Sequence, residues 1–247
     1  MTYCVGLKLD RGLVFMSDTR TNAGLDNIST FKKMTVWNVP GERVLTLLSA
    51  GNLATTQSVV SLLNERTKSP DDRTPTLLGA TSMFQATQMV ADTLREVIRT
   101  RTARSGQSGE SAFNATLLLG GQIDGGEPQL FLIYPEGNFI EASDDTPFFQ
   151  SGEIKYGRPI LVRAYRPDMS FEEAIRLLLV SFDSTMKANL TVGAPLDYLC
   201  IEAGTQRIAA RGRYAADDPA LKQVSDLWGL ALQTALEAIP LVPLPEA

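Results

Sequence analysis

The sequence has 247 residues, 44% of them hydrophobic and 21% charged, which are ordinary proportions for a globular protein with a sizeable core. Its formal net charge of -5, with no basic run interleaved with aromatic residues, argues against binding to nucleic acid or to anionic lipid. No apolar run is long enough to span a membrane and no secretory signal opens the chain, so we expect a cytosolic protein without membrane contact.

The residue types that are missing restrict the possible chemistry. The sequence contains no histidine, which excludes Ser–His and Cys–His catalysis and every histidine-ligated metal. Its two cysteines, Cys4 and Cys200, lie in apolar runs and are too few for a disulfide framework or a structural zinc site. We therefore expect neither a metal nor a cofactor. Any catalysis would use Thr, Ser, Lys, Tyr, a carboxylate, a backbone amide or a chain terminus.

The first part of the chain contains strands with no helix between them. The strands are predicted over 2–9, 13–17, 33–39 and 43–50, with a polar stretch over 18–29. Helical periodicity follows over 52–66. A second, longer helix is predicted to begin with Thr74 as its N-cap and Pro75 in its first position, and a polar loop is predicted over 100–111.

The second part of the chain repeats this order. Strands are predicted over 113–119, 129–134, 138–141, 197–202 and 207–210. A short helix is predicted after Ser151-Gly152, and a longer one after Ser170, which forms a capping box with Glu173. Pro219 opens a C-terminal helix that reaches about residue 238, and the proline-rich tail over 239–247 is predicted to be irregular.

This order of elements predicts the fold class. Antiparallel strand blocks separated by helix pairs indicate an α+β fold, in which two antiparallel sheets stack face to face and helices cover their outer sides. The result is a four-layer αββα sandwich. Because no linker or repeat interrupts the pattern, we expect residues 1–247 to form one domain.

Thr2 carries the most informative chemistry in the sequence. Removal of Met1 by an aminopeptidase, which a small second residue permits, would leave Thr2 with a hydroxyl and a free α-amine. An α-amine has a pKa of roughly 7.7–8.0 and can act as a base near neutral pH. Thr2 would then supply nucleophile and general base together without histidine. A Met-Thr start is common, so this hypothesis depends on the residues that accompany it.

A carboxylate and an ammonium are expected beside Thr2. Asp18 ends the second predicted strand and Lys33 begins the third, so adjacent strand ends would bring both side chains to the terminus. The lysine charge would favour the threonine alkoxide, and Asp18 would keep the lysine charged. Lys32 is the alternative, but an apolar residue follows Lys33 directly into the strand. Taken singly, such residues are more commonly a solvated surface pair.

These residues resemble the proteasome β-subunit family of N-terminal-nucleophile hydrolases. The matching motifs are Thr2 at the mature start, Asp18-Thr19-Arg20 with a downstream Gly24, a lysine at the next strand, Ala50-Gly51-Asn52-Leu53-Ala54 at the first helix, and Ser151-Gly152 before the third. Their order and spacing are fairly specific, and the resemblance covers nearly the whole chain. The opening residues and the extension beyond Pro219 are similar to the bacterial ancestral β-subunit branch, called Anbu.

The resemblance implies a catalytic role for five residues. Thr2 would be the nucleophile, with Asp18 and Lys33 as its tuning pair. Ser151 would hydrogen-bond the α-amine and a proton-carrying water. The backbone N–H of Gly51, at a helix start, would stabilise the oxyanion. These roles describe a threonine hydrolase that needs no metal.

The resemblance also implies a substrate and an assembly. Thr21, Asn22 and Gly51 would line an edge on which an extended peptide pairs as an added strand. Ser49 and Leu53 would form a pocket for a small to medium apolar side chain. The expected substrate is a peptide or protein, acted on inside a homo-oligomer that is either a ring or an open spiral. The sequence does not indicate whether an ATP-driven partner feeds it.

One stretch departs from the family's pattern. Where the family has an Asp, then a Ser and two glycines, this chain has Asn189 and later Val192-Gly193-Ala194, so the Asp and the Ser are missing. The α-amine would therefore have less support. Two alternatives to a threonine peptidase stay open, namely a catalytically weak or inactive assembly subunit of the same fold, and a small-molecule amidase.

Overall fold

The fold is a layered sandwich of sheets and helices. The computed structural model describes residues 2–22, 28–68, 76–105 and 110–244. Over these ranges the chain forms two stacked antiparallel sheets with helices on both outer faces. This arrangement confirms the predicted α+β class and its four αββα layers, because each sheet buries one face on the other sheet and one face under helices.

The elements follow one another in blocks. The strands are β1 (Tyr3–Leu9), β2 (Gly12–Asp18), β3 (Arg20–Asn22), β4 (Ile28–Thr30), β5 (Met34–Val39), β6 (Arg43–Gly51), β7 (Ala115–Ile123), β8 (Gln129–Ile133), β9 (Phe139–Glu141), β10 (Phe148–Gly152), β11 (Leu196–Glu202) and β12 (Arg207–Tyr214). The helices are α1 (Leu53–Lys68), α2 (Met83–Ser105), α3 (Arg158–Ala164), α4 (Phe171–Ala188) and α5 (Pro219–Glu237), with a 3₁₀ turn at Glu110–Phe113.

Two five-stranded sheets and a small ribbon organise these strands. Sheet I has the order β10-β1-β2-β11-β12, sheet II has the order β5-β6-β7-β8-β9, and β3 pairs with β4. The pairings are antiparallel throughout the described sheets. Strand β1 therefore lies inside sheet I, with β10 on one side and β2 on the other. The chain's first strand is held by hydrogen bonds along both edges.

The core follows from the alternation of side chains along the strands. In β1, Tyr3 and Val5 pack with the helix layer of α3 and α4, whereas Cys4 packs between the two sheets. The layer between the sheets also contains Phe15 and Phe149, both buried. Helices α1 and α2 cover the outer face of sheet II. Both faces of the central strands are thus buried, which explains their high apolar content.

Local signals place α4 and α5. The Ser170 hydroxyl accepts from the Glu173 N–H at 3.1 Å, and the Glu173 carboxylate accepts from the Ser170 N–H at 2.9 Å. This confirms the predicted capping box. Helix α5 begins at Pro219, as predicted, and packs on the α4 layer through Leu221 and Val224. It ends at Glu237, close to the predicted end.

The start of α2 differs from the prediction. The predicted N-cap Thr74 and the following Pro75 lie outside the described residues. Within them, the Gly79 N–H donates to the Thr76 carbonyl at 2.9 Å and closes a turn, and the helix begins at Met83. The Ser82 hydroxyl accepts from the Gln85 N–H at 3.1 Å, as an N-cap does. Ser82, and not the predicted Thr74, therefore caps the helix.

The end of α2 also differs, because the predicted polar loop over 100–111 is helical as far as Ser105. Arg101 lies on this segment and donates to the Ser58 hydroxyl at 2.6 Å and to the Ala54 carbonyl at 3.2 Å. Contacts with α1 thus extend the helix through a polar stretch. Polarity alone indicated a loop because it carries no information on these partners.

Two strand elements were not predicted. Strand β10 is five residues long and pairs with β1 along its whole length. The ribbon of β3 and β4 lies in the predicted polar stretch. Each of these short strands lacks a regular alternation of apolar and polar residues, so the period-2 signal is weak.

Two further findings bear on function. Among the described residues, no helix combines the length and the apolar character that crossing a membrane requires. No group of three or more Cys, Asp or Glu side chains in the same ranges is arranged to hold a metal ion.

Cys4 and Cys200 are free thiols and both are buried, as their apolar surroundings predicted. Burial raises the pKa of the Cys4 thiol far above its ordinary value.

Candidate active site

The backbone of Thr2 is held in place on two sides. Its carbonyl accepts a hydrogen bond of 2.7 Å from the Glu153 N–H, just beyond β10. The next peptide N–H, that of Tyr3, donates to the Asp18 carboxylate at 3.0 Å. Thr2 is only 8% exposed. Chain ends usually fray unless they are tied down, so these two bonds give Thr2 a defined position at the rim of the sandwich.

Tyr3 anchors the start of β1 to the helix layer. Its hydroxyl is 2.8 Å from the Ser181 hydroxyl and accepts from the Gln150 amide at 2.6 Å. Its ring lies 4.4 Å from that of Phe182, centroid to centroid. Burial raises the pKa of Tyr3 to about 12, so the phenol is neutral and can donate at physiological pH. The residue after Thr2 is thereby fixed by α4 and β10.

Asp18 and Lys33 form a buried ion pair beside Thr2. The Lys33 Nζ lies 2.7 Å from Asp18 Oδ1, and the two side chains are 5% and 0% exposed. Lys33 also donates to the Arg20 carbonyl at 2.6 Å, and the Gly193 N–H lies 3.4 Å from Asp18 Oδ2. Burial raises the pKa of Asp18, while the Lys33 ammonium and the hydrogen bonds from Tyr3 and Gly193 oppose this rise.

The geometry distinguishes between the two lysine candidates. Lys33 is buried against Asp18, whereas Lys32 is exposed. The pair joins the two sheets, because Asp18 ends β2 in sheet I and Lys33 immediately precedes β5 in sheet II. The Ser49 N–H donates to the Lys33 carbonyl at 3.0 Å and so fixes its backbone to β6. The structure therefore places the lysine of the predicted pair at position 33.

Ser151 and Gly152 lie opposite the start of β1. Ser151 pairs with Cys4 and faces the space between the sheets, where its hydroxyl lies 3.5 Å from the Thr116 carbonyl. Gly152 pairs with Tyr3 and has a φ of +89°. A Cβ atom at position 152 would lie 1.9 Å from the Thr2 carbonyl oxygen. Only glycine allows the backbone at position 152 to approach the Thr2 carbonyl this closely, so the Ser-Gly motif determines where Thr2 lies.

Gly51 ends β6 at the point where α1 begins. Its φ is +112°, and a Cβ atom there would lie 2.5 Å from the Asn114 carbonyl oxygen. The side chain of Asn52 then accepts from the Thr55 N–H at 3.0 Å and caps α1. Gly51 is itself exposed. The predicted oxyanion residue thus lies at a helix start, where backbone N–H groups favour negative charge.

The four predicted substrate-binding residues lie on three elements, β3, β6 and α1. Thr21 and Asn22 belong to β3, opposite Ser29 and Ile28, and follow the residue whose carbonyl binds Lys33. Ser49 lies on β6, with its hydroxyl 3.4 Å from the Lys33 carbonyl. Leu53 is the first residue of α1 and is half-buried. Strands β3 and β6 therefore both contact Lys33, and α1 follows β6 directly.

The departure from the family's pattern has a structural counterpart that sequence reasoning missed. Val192 is buried in the helix-side core. The Asn189 amide donates to the Glu153 carboxylate at 2.9 Å, and its oxygen accepts from the Thr191 N–H and hydroxyl. In the sequence, the only indication that Glu153 belongs to the site is its position directly after the Ser-Gly motif.

Comparisons with known proteins agree with this geometry. The sequence matches the proteasome subunit family over residues 2–196. The proteasome subunit beta 2 of Pyrobaculum neutrophilum is 26% identical over 207 residues, covering 82% of this chain and 90% of that protein.

Solved structures extend the likeness to the whole chain. Anbu from Hyphomicrobium sp. strain MC1 is 50% identical with a TM-score of 0.89, covering 98% of this chain and 100% of that one. Anbu (ancestral beta-subunit) from Yersinia bercovieri is 44% identical with a TM-score of 0.90, covering 99% and 100%. A helical assembly of the Anbu complex from Pseudomonas aeruginosa is 45% identical with a TM-score of 0.90, covering 98% of each chain. The chain therefore belongs to the proteasome subunit family and is similar to its ancestral β-subunit (Anbu) branch along nearly its entire length.

Proposed function

We propose that the chain is a threonine-type hydrolase of peptide or other amide bonds, with Thr2 as nucleophile once Met1 has been removed. The observation that carries this proposal is the buried pair of Asp18 and Lys33, whose carboxylate accepts the first peptide N–H after Thr2 at 3.0 Å. A buried ion pair is expensive to desolvate, and its place at the chain terminus gives it a chemical purpose.

The proposed reaction needs no group beyond the chain. The freed α-amine takes the proton of the Thr2 hydroxyl, directly or through a water, while the oxygen attacks the substrate carbonyl. The N–H of Gly51 stabilises the oxyanion that forms. The amine then gives its proton to the leaving nitrogen, an ester on Thr2 remains, and water hydrolyses it by the same route. Ser151 and the field of Lys33 support the amine and the alkoxide.

The proposed substrate is an extended peptide or protein segment. Strand β3, which carries Thr21 and Asn22, and strand β6, which ends at Gly51, both contact Lys33 of the ion pair and suit pairing with an added strand. Ser49 and Leu53 would receive a small to medium apolar side chain. We place the enzyme in the cytosol, in keeping with its two free buried thiols. The helical assembly of the Pseudomonas aeruginosa Anbu complex supports a homo-oligomer.

A second candidate is a non-catalytic assembly subunit that retains the fold. The observation that favours it is Val192, which fills the core where the family's pattern has a hydroxyl. A small-molecule amidase uses the same chemistry on a different substrate. Peptide substrates and small amides, assayed side by side, separate that possibility from a peptidase.

Variants of Thr2 test the proposal. Thr2→Ala, which also permits Met1 removal, is expected to lower turnover about 10³-fold or more while the assembly keeps its size. Thr2→Ser, which keeps a hydroxyl, is the matched control and should retain measurable turnover. Intact-mass spectra before and after a threonine-reactive inhibitor should show loss of Met1 in both wild type and Thr2→Ala, and one added inhibitor on wild type but not on Thr2→Ala. Undiminished turnover in Thr2→Ala would refute the proposal, and no turnover with any amide would favour the assembly subunit.

A further inference from the structure

Glu153 is a buried carboxylate without a cationic partner. The residue is 8% exposed, and no Lys or Arg nitrogen of the described residues lies within ion-pair distance of it. Its two oxygens accept from the Asn189 amide at 2.9 Å and from the Lys155 N–H at 3.4 Å. Neutral donors compensate a buried charge incompletely, so such a carboxylate is normally paired with a cation.

The position of Glu153 indicates which cation is missing. Its backbone N–H donates to the Thr2 carbonyl at 2.7 Å, so the two residues lie directly opposite each other across β1 and the end of β10. The α-nitrogen of Thr2 belongs to the same residue as that carbonyl. While Met1 is attached, this nitrogen is a neutral amide. Once Met1 is removed, it becomes an amine that carries a positive charge when protonated.

Asn189 fixes the side chain of Glu153 in this place. The Asn189 oxygen accepts from the Thr191 N–H at 3.0 Å and from its hydroxyl at 2.6 Å, which leaves the amide nitrogen to donate to Glu153. An aspartate at 189 would have no N–H to donate and would repel Glu153. The asparagine thus suits the glutamate, and the two residues form one unit of the site.

We infer that Glu153 is the positioning residue for the freed α-amine of Thr2, which it binds as the counter-ion of the α-ammonium. This inference rests on the proposed function of Thr2. The other charged groups at this end of the elements are Asp18, Lys33, Arg20, Lys155 and Lys187, and further along β1 and α4 lie Lys8, Glu172, Glu173, Arg176 and Asp183. Asp18 and Lys33 are paired at 2.7 Å and largely cancel each other's field, which leaves Glu153 as a buried charge without a counter-ion beside the start of β1.

The inference has a defined consequence for the base. A carboxylate close to an amine stabilises its protonated form and raises its pKa. The Thr2 amine would then be held in place but would lose its proton only above the ordinary range of an α-amine. Turnover would therefore rise towards alkaline pH, and a variant without the carboxylate would reach its plateau at lower pH.

Competitive acetylation of the α-amine, read by mass spectrometry from about pH 5 to about pH 10, measures its pKa without any turnover. On chains shown by intact mass to lack Met1, Glu153→Gln is expected to lower that pKa by about one unit or more. The acid limb of the kcat/KM profile should shift in the same direction. Glu153→Asp, which keeps the charge, should restore part of the rise. Glu136→Gln, at an exposed turn in sheet II, is the control and should change nothing.

The outcomes separate this inference from the proposed function. An unchanged α-amine pKa in Glu153→Gln overturns the inference, whatever the result with Thr2→Ala. Full turnover in Thr2→Ala would remove the proposed function, and the labelling experiment would still report on the contact. If Glu153→Gln does not fold, Asn189→Ala takes its place, because it frees the carboxylate and should lower the pKa by a smaller amount. No change there would also overturn the inference.

Discussion

The ion pair between Asp18 and Lys33 adds little net stability, but the loss of either partner would be costly. Both side chains are removed from water, and the desolvation of each charge offsets most of their attraction. Three donors nevertheless surround Asp18, from Lys33, Tyr3 and Gly193. The pair is therefore strongly coupled, so that removal of one member leaves a buried charge behind.

Lys33→Met is expected to lower the free energy of unfolding by about 3–5 kcal/mol near neutral pH, because Asp18 stays buried without its partner. The loss should depend on pH. Burial without the ammonium raises the pKa of Asp18 further, so the folded state keeps a proton that the unfolded state releases. The deficit should be small below about pH 4, the ordinary pKa of an aspartic acid, and should grow as pH rises. Urea unfolding at several pH values measures it.

Two further variants complete this test. Lys32→Met, at the exposed neighbouring lysine, should change stability by less than about 0.5 kcal/mol. Asp18→Asn combined with Lys33→Met removes both charges of this pair and should recover much of the lost stability, but not the proposed activity. A deficit in Lys33→Met that is independent of pH would show that packing, and not the stranded carboxylate, causes it.

At the scale of elements, the pairing of β1 with β10 determines where Thr2 lies. Gly152 lies against the Thr2 carbonyl with a φ of +89°, so the two strands approach more closely than side chains would permit. The turn that follows delivers the Glu153 N–H to the same carbonyl. Strand β10 thus holds the candidate nucleophile from one side, and the ion pair holds it from the other.

Gly152→Ala is expected to displace Thr2, because the new Cβ would lie 1.9 Å from the Thr2 carbonyl oxygen. Gly41→Ala is the matched control, since Gly41 also has a positive φ, of +79°, but a Cβ atom there would have no atom within 4 Å apart from its chain neighbours. Both variants should lose about 1–2 kcal/mol through backbone strain. Gly152→Ala should lose about 1–3 kcal/mol more through overpacking and about 10²-fold in turnover. Equal losses of stability and turnover in both variants would contradict close packing of Gly152 against Thr2.

The elements that the sequence predicted are those with strong local signals. The capping box of Ser170 and Glu173 and the Pro219 start of α5 depend on residues within one helical turn, so both could be located. The predicted beginning and end of α2 were wrong. A turn at Thr76 delays the start of the helix, and contacts of Arg101 with α1 extend its end. Strand β10 is held by β1 from a distant part of the chain.

The candidate site divides in the same way. Asp18 and Lys33 lie at predicted strand ends, and the meeting of those ends follows from the order of elements. The contact between Glu153 and Asn189 joins residues that are distant in sequence, at the end of α4 and beyond β10. No local pattern indicates it. The sequence therefore indicates only that the family's Asp and Ser are missing, whereas the structure places the Glu153 carboxylate against Asn189.

At the scale of the whole molecule, α5 gives the sandwich an outer surface that suits contact with other copies. Its inner face packs on the α4 layer through Leu221 and Val224. Its outer face exposes Leu232 at 51% and Leu236 at 70%, and Ile239, just beyond the end of the helix, continues this stripe with 62% exposure. Contiguous exposed apolar patches of this kind commonly mark interaction sites. The related Pseudomonas aeruginosa protein forms a helical assembly.

The stripe on α5 therefore predicts an interface between copies of this chain. Burial of a leucine side chain contributes about 1.5–3 kcal/mol, so Leu232→Glu with Leu236→Glu should lower the mass measured by light scattering towards that of a single chain. Gln223→Glu with Gln233→Glu adds the same charge at exposed positions of the same helix and should leave the mass unchanged. An unaltered mass in the leucine variant would place the interface elsewhere. A reduced mass with unchanged peptide turnover would show that the hydrolytic site of one copy functions without its neighbours.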